Sequence, residues 1–250
     1  MKQGYLARES ERVNQAARKT LVKLVIVFVC ALSAVYFLGR DSIDFSDVSY
    51  GTIPFYIVIL LGIVLFAIVV KIIATGRTAV NGNNLFLPFK EDTQEAVARI
   101  IDKEAAEGKI LVEEFIGQFK DPKKASGEKI VLLPSYLLIC GVKGGPKGTS
   151  KVTAIPRNQI YWICAQAGYK GGPFIVKLLI FTDNKIFAVE GTEVEHVQGI
   201  AEKIYKYIPN IFNDYDPFVV SYEFEKIFHK NPEDFFAIYE EERKKKTLVH

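Results

Sequence analysis

The chain is poor in the residues that build metal centres and cross-linked scaffolds. It has three cysteines, Cys30, Cys140 and Cys164, and three histidines, His196, His229 and His250. No CxxC or HExxH spacing joins them, and an odd, scattered set of cysteines makes no disulfide framework. The net charge is only +3, which is too small for the basic footprint of a nucleic-acid-binding surface, so no nucleic-acid partner is expected. Strict phosphate loops are also missing. The run GVKGGPKGTSK (141–151) fits neither GxxxxGK[ST] nor GxGxxG, and it joins two strand-like runs where a phosphate loop would open a helix. No nucleophile elbow, paired-carboxylate element or kinase signature is present. These gaps leave no catalytic residue, cofactor or metal to name.

Apolar residues are abundant. Hydrophobic residues make up 49% of the chain and the mean hydropathy is +0.14, an excess that comes from two blocks near the N-terminus. Residues 21–39, LVKLVIVFVCALSAVYFLG, and residues 53–75, IPFYIVILLGIVLFAIVVKIIAT, each approach the roughly 20 apolar residues that a membrane-crossing helix needs. Lys23 and Lys71 sit near the block ends, where their stems can snorkel. Lys2, Arg8, Arg12, Arg18 and Lys19 precede the first block, Asp41, Asp44 and Asp47 lie between the blocks, and Arg77 and Lys90 follow. The Lys/Arg bias predicts a two-span transmembrane hairpin in the cell membrane, with both termini cytoplasmic and a short outer loop at 40–52. A cleaved signal peptide competes, but the first apolar run is long and no A-x-A site follows it. Cys30 and Ala34 form a small-xxx-small pair suited to close helix packing.

Residues 76–109 read as a linker and a helix. Asp92 with Glu95 is a candidate N-cap pair and Gly108 suits the helix end. From Ile110 to Glu190 the pattern is β: ILVEEFIGQF, EKIVLL, SYLLICGV, KVTAI, QIYWICAQ, FIVKLLIFT and KIFAVEG. Pro134 and Pro156 break runs, as proline does in a ladder, and Asp183-Asn184 is a tight hairpin turn. The segment TEVEHVQGIAEKIYKYIP (192–209) reads as an amphipathic helix opened by a Thr192/Glu195 capping box and stopped by Pro209. Its apolar stripe must cover something.

Residues 132–140 (LLPSYLLIC), 154–163 (AIPRNQIYWI) and 178–208 resemble the bacterial pleckstrin-homology-like domains carried by membrane-anchored proteins. The resemblance spans about residues 110–209. It implies a cytoplasmic α+β domain, a bent β-barrel of about seven strands capped by a C-terminal helix. It also implies anionic lipid head groups as a ligand for basic loops, and so Lys143, Lys147, Lys151 and Lys170 become candidate lipid or partner contacts.

Residues 210–250 are an aromatic-rich helical extension. PFVVSYEFEKIFHK reads as a short strand and a helical turn, and a helix follows with Asn231 as cap and Pro232 in its first turn. Phe235, Phe236, Ile238 and Tyr239 are expected to dock on the domain or on the helix near 92–107. The strand QIYWICAQ is apolar on both sides and holds the only Trp, so helices should bury it from both directions, with Trp162 as a core residue. The expected function is a non-enzymatic, membrane-anchored binding or scaffolding module that presents its domain to a protein partner or the inner leaflet. An accessory subunit of a larger membrane complex is the alternative. A membrane enzyme without a motif is a third reading.

Overall fold

A computed structural model describes residues 4–39, 62, 64, 67, 85–89, 93–117, 128–141, 152–169, 173–212 and 216–247. The chain forms two compact units, one of residues 1–10 with 82–250 and one of residues 11–81.

The larger unit contains two β-sheets. Sheet A has the order β1-β5-β4-β3-β2, with β1 Leu85–Phe86, β2 Val112–Phe115, β3 Lys129–Leu132, β4 Tyr136–Cys140 and β5 Val152–Pro156. β1 joins β5 in parallel and the other ladders of this sheet are antiparallel. Sheet B is the antiparallel series β6 Ile160–Tyr169, β7 Phe174–Thr182 and β8 Ile186–Gly191. A single 3-10 turn, Arg157–Gln159, carries the chain from one sheet to the other. Strands β2 to β8 coincide with the seven β runs of the sequence. β1 lies in what reads as linker, because two residues are too short for any periodicity to show.

Strand alternation sorts the apolar side chains into three cores. Ile130, Leu132, Leu137, Ile139 and Ile155 of sheet A meet Ile163, Ala165, Leu178 and Ile180 of sheet B. Helix α3, Val194–Ile204, closes this inner core with Val197, Ile200, Ala201 and Ile204. The opposite side of sheet A, with Val131, Leu133, Leu138 and Cys140, packs on Val97 and Ile101 of helix α2, Gln94–Ala106, and on Tyr5 and Leu6. The opposite side of sheet B, with Trp162, Cys164, Leu179 and Phe181, packs on Phe228 of helix α4, Val220–Lys230, and on Phe235 of helix α5, Pro232–Thr247. Each large apolar side chain so buried contributes about 1.5–3 kcal/mol. Both faces of both sheets are therefore largely covered, and β3, β4 and β6 are apolar on successive residues instead of alternating.

Helix ends follow local chemistry with small shifts. Thr93, not Asp92, caps α2, its Oγ1 accepting the Ala96 N–H at 3.3 Å. Gly108 stands beyond the helix at φ 71°, where a side chain would be strained. α3 starts one residue later than the capping-box reading, with Glu193 at the N-cap and no side-chain cap bond. Residues 220–230 are an eleven-residue helix, not a strand and a turn. Asn231 does cap α5, accepting the Glu233 N–H at 3.2 Å. The β7–β8 turn at Asp183-Asn184 is closed by the Thr182 N–H and hydroxyl, both donated to the Lys185 carbonyl at 3.1 and 2.6 Å.

The structure corrects two expectations. The sheets do not form a closed bent barrel. They share no ladder, β1 adds a parallel edge, and the inner core is sealed by packing and by α3, so each sheet stays open. Nor is a two-span hairpin present: among the described residues no helix is long and apolar enough to cross a membrane. The block at 21–39 continues a 35-residue helix, α1 Tyr5–Gly39, that begins in a charged stretch and whose first turns pack on sheet A. In the smaller unit Val22, Ile26, Val27 and Val29 of this helix are exposed. The block at 53–75 lies outside the described residues, apart from helical Gly62, Val64 and Ala67. Integral membrane association and a multi-pass cell-membrane location are therefore set aside.

Candidate functional site

Most polar groups in the larger unit are tied into its architecture. Lys129 is 3% exposed. Its Nζ lies 2.6 Å from Glu9 Oε1 and 2.7 Å from Glu113 Oε1, and it donates to Tyr5 Oη at 3.3 Å. Tyr5 in turn donates to Glu113 Oε1 at 3.1 Å. Burial, with Cys140 and both carboxylates adding to it, raises the Tyr5 phenol far above its ordinary range, so it remains a donor. A buried lysine with two carboxylates is a satisfied charge cluster that fastens the start of α1 to β2 and β3. It presents no free base.

The described histidines each have a neighbour within their own unit. His196 on α3 donates Nε2–H to the Phe115 carbonyl at 2.7 Å, and His229 lies 3.9 Å from Glu225 on the same helix. His250 lies outside the described residues. Cys140 and Cys164 are buried in separate cores, and burial pushes the Cys164 thiol well up, away from the thiolate that reactivity needs. Among the described residues no group of His, Cys, Asp and Glu is arranged to hold a metal ion. A shallow recess of about 400 Å³ is lined by Pro134, Ser135, Arg157 and Asn158. Two of its polar side chains are already engaged: Ser135 donates to Glu104 at 2.5 Å and Arg157 donates to the Tyr207 carbonyl.

What stands open is aromatic. Tyr169 closes β6 at 79% exposure, Phe174 opens β7 at 44%, and Phe218 and Val219 are each 52% exposed. The rings form a row, with Tyr169 and Phe174 5.2 Å apart and Phe174 and Phe218 6.4 Å apart. Tyr169 and Phe174 are a directly opposed cross-strand pair, which is why they meet at the end of the hairpin. Phe218 is brought to them by a tied-down turn. The Ala167 N–H donates to the Pro217 carbonyl at 3.0 Å, the Phe218 N–H to Asp216 Oδ1 at 2.8 Å, and the Ser221 hydroxyl to the Pro217 carbonyl at 2.8 Å. Gly168 lets Tyr222 approach, since a Cβ there would lie 2.9 Å from the tyrosine oxygen. The exposed row therefore stands on a rigid base, as recognition residues on loops commonly do.

Lys143, Lys147, Lys151 and Lys170 all lie outside the described residues. The aromatic row was not read from the sequence as a site. Its signal was there, because Tyr169 lies in the hairpin loop GYKGGP and Phe174 follows it, yet the loop draws attention to its lysine. Phe218 could not be joined to them without the fold. No family model matches the chain, and neither a characterised protein nor a solved structure does.

Proposed function

We propose that the chain is a non-enzymatic binding module that holds a protein partner on the surface carrying Tyr169, Phe174 and Phe218. The carrying observation is that contiguous row of exposed aromatic rings on a rigid turn, in a unit whose sheet faces are otherwise largely covered. Contiguous exposed apolar patches mark contact sites, and aromatic residues are enriched at the centres of protein interfaces. The engaged state of Ser135 and Arg157 in the recess and of the Lys129 cluster favours binding over catalysis.

The test is purification of the tagged full chain from its native cells, beside the double substitution Phe174→Ser and Phe218→Ser, with quantitative mass spectrometry of what accompanies each. A stoichiometric protein that is lost with the two rings supports the reading. Equal recovery of all companions with and without the rings overturns it.

A further inference from the structure

The four outer strand edges of the two sheets are treated differently. The edge of sheet A at β1 is two residues long. At its other edge, β2 carries Glu113 and Glu114, which pair with Lys129 and Lys203, and the Phe115 carbonyl accepts from His196. In sheet B, the outer side of β6 is occupied: the Ile163 carbonyl accepts the Tyr205 hydroxyl at 2.6 Å and the Ala167 N–H donates to Pro217. β8 is the exception. Among the described residues its only strand ladder is the one with β7, over six residues in unbroken register. It has no proline, no bulge and a single charge, Glu190. Charge, proline, bulges and covering elements are the devices that keep an edge from accepting another strand. Along Ile186–Val189 one row of N–H and C=O groups faces away from β7, and only another extended backbone complements such a row.

The side chains narrow the occupant further. Ile186 packs at the margin of the outer core of sheet B and Phe187 at the margin of the inner core, so an added strand would extend both cores with apolar residues on both faces. At the start of β8, Lys185 is half-buried. Its Nζ lies 5.3 Å from the ring centroid of Phe86 and 4.6 Å from that of Phe187, and it forms no ion pair among the described residues. Burial lowers its pKa, as expected of a cation held without a counter-charge. A second copy centred on the middle of the strand does not supply the counter-charge. Two β8 strands paired about a two-fold axis through Ala188 would set Lys185 opposite Gly191 and Ile186 opposite Glu190.

We propose that the open edge of β8 accepts an extended segment of a partner protein as a fourth strand of sheet B, with an acidic side chain of that segment set against Lys185. The inference rests on the reading of the chain as a protein-binding module and adds a backbone-to-backbone contact to it. Main-chain hydrogen bonds would supply affinity, and the alternating apolar positions with one acid would supply specificity.

The experiment uses the full chain as target for a phage-displayed library of random nine-residue peptides. Enriched peptides are then synthesised and followed by fluorescence anisotropy and hydrogen exchange. The proposal expects enriched peptides with apolar residues at alternating or successive positions and an Asp or Glu toward one end. It also expects slowed exchange at residues 186–189 on binding, and an affinity weakened about fivefold by Lys185→Glu that is restored when the peptide acid becomes lysine. Enriched peptides that protect the turn at 216–219 or the hairpin end at 169–174 overturn the edge proposal while leaving the binding-module reading intact. Absence of enrichment overturns the edge proposal too, and the purification with the ring substitutions then decides the wider reading independently. Protection of 186–189 that grows with protein concentration and without peptide overturns it in favour of self-pairing.

Discussion

Trp162 donates its indole N–H to Asn210 Oδ1 at 2.9 Å, and the Asn210 carbonyl accepts the ammonium of Lys246 at 2.9 Å. One asparagine thus joins strand β6, on the side of the outer aromatic core, to the end of the last helix. Around the indole lie Phe212 at 4.8 Å, Phe181 at 5.2 Å and Phe224 at 5.3 Å. The only polar atom of the side chain is satisfied at its margin, which allows a full-sized Trp to be completely buried.

Replacing Asn210 with Leu leaves that indole N–H without its acceptor. The expected cost is about 1–3 kcal/mol, whereas Asn210→Asp, which keeps an acceptor, should cost less. Trp162 is the sole tryptophan, so urea unfolding followed by its fluorescence measures both. Equal stability of Asn210→Leu and the parent chain would count against the bond.

The Lys129 cluster predicts a sign reversal between single and multiple substitutions. Lys129→Met leaves the carboxylates of Glu9 and Glu113 facing each other without their cation, and should destabilise by about 3–5 kcal/mol. Adding Glu9→Gln and Glu113→Gln removes the two carboxylates that Lys129 had neutralised and should recover part of that loss. Chemical denaturation of the single and triple variants checks it, and a triple variant no better than Lys129→Met would refute the cluster.

Alkaline pH gives a third test. Burial, together with a hydrogen bond to Asp183, pushes the Tyr161 phenol from 10.0 up to about 12. Between these values the folded chain keeps a proton that the unfolded chain has lost, so stability must fall as pH rises through that window. Burial of Tyr5 acts in the same direction. Unfolding midpoints measured from pH 8 to pH 12 should decline above about pH 10, and Tyr161→Phe should flatten part of the slope.

Gly191 ends β8 where α3 begins to pack. A Cβ there would lie 2.4 Å from Val197 Cγ2, and Val197 is wholly buried. Gly191→Ala should therefore cost about 1–3 kcal/mol through overpacking, and Val197→Ala in the same chain should relieve part of the strain. Thermal unfolding of the two single variants and the double variant provides the cycle.

Much of the larger unit was legible locally. The long strands, the Asn231 cap, Gly108 and the Asp183 turn all announce themselves through periodicity or turn chemistry. Burial of β6 on both sides also followed from its being apolar on successive residues, although sheet A together with α3, and not flanking helices alone, covers the side opposite Trp162. What was not legible depends on distance along the chain. The aromatic row needs Phe218 beside Phe174, and the Lys129 cluster needs residue 9 beside residue 113. The apolar blocks misled in another way. Hydropathy measures transfer from water to oil and does not distinguish a bilayer from another apolar surrounding, whereas α1 is a helix that starts charged and enters the domain. Barrel closure was equally out of reach, because strand number does not reveal which edges hydrogen-bond.

The double-sided oiliness of β6 has one more consequence. In an ordinary half-wet strand, a slip of one residue throws polar groups into the core and is rejected at once. Here a slip would trade one greasy neighbour for another, so alternation alone is a weak ruler. The register must be read from its few marks. The irregularity between Ile160 and Trp162 puts Ile160 and Ile163 on the same inner side. The buried amide of Gln166 is held by Glu225 at 2.7 Å, and the indole N–H of Trp162 is held by Asn210. Erasing those marks together should produce a chain that still collapses but no longer counts its residues correctly.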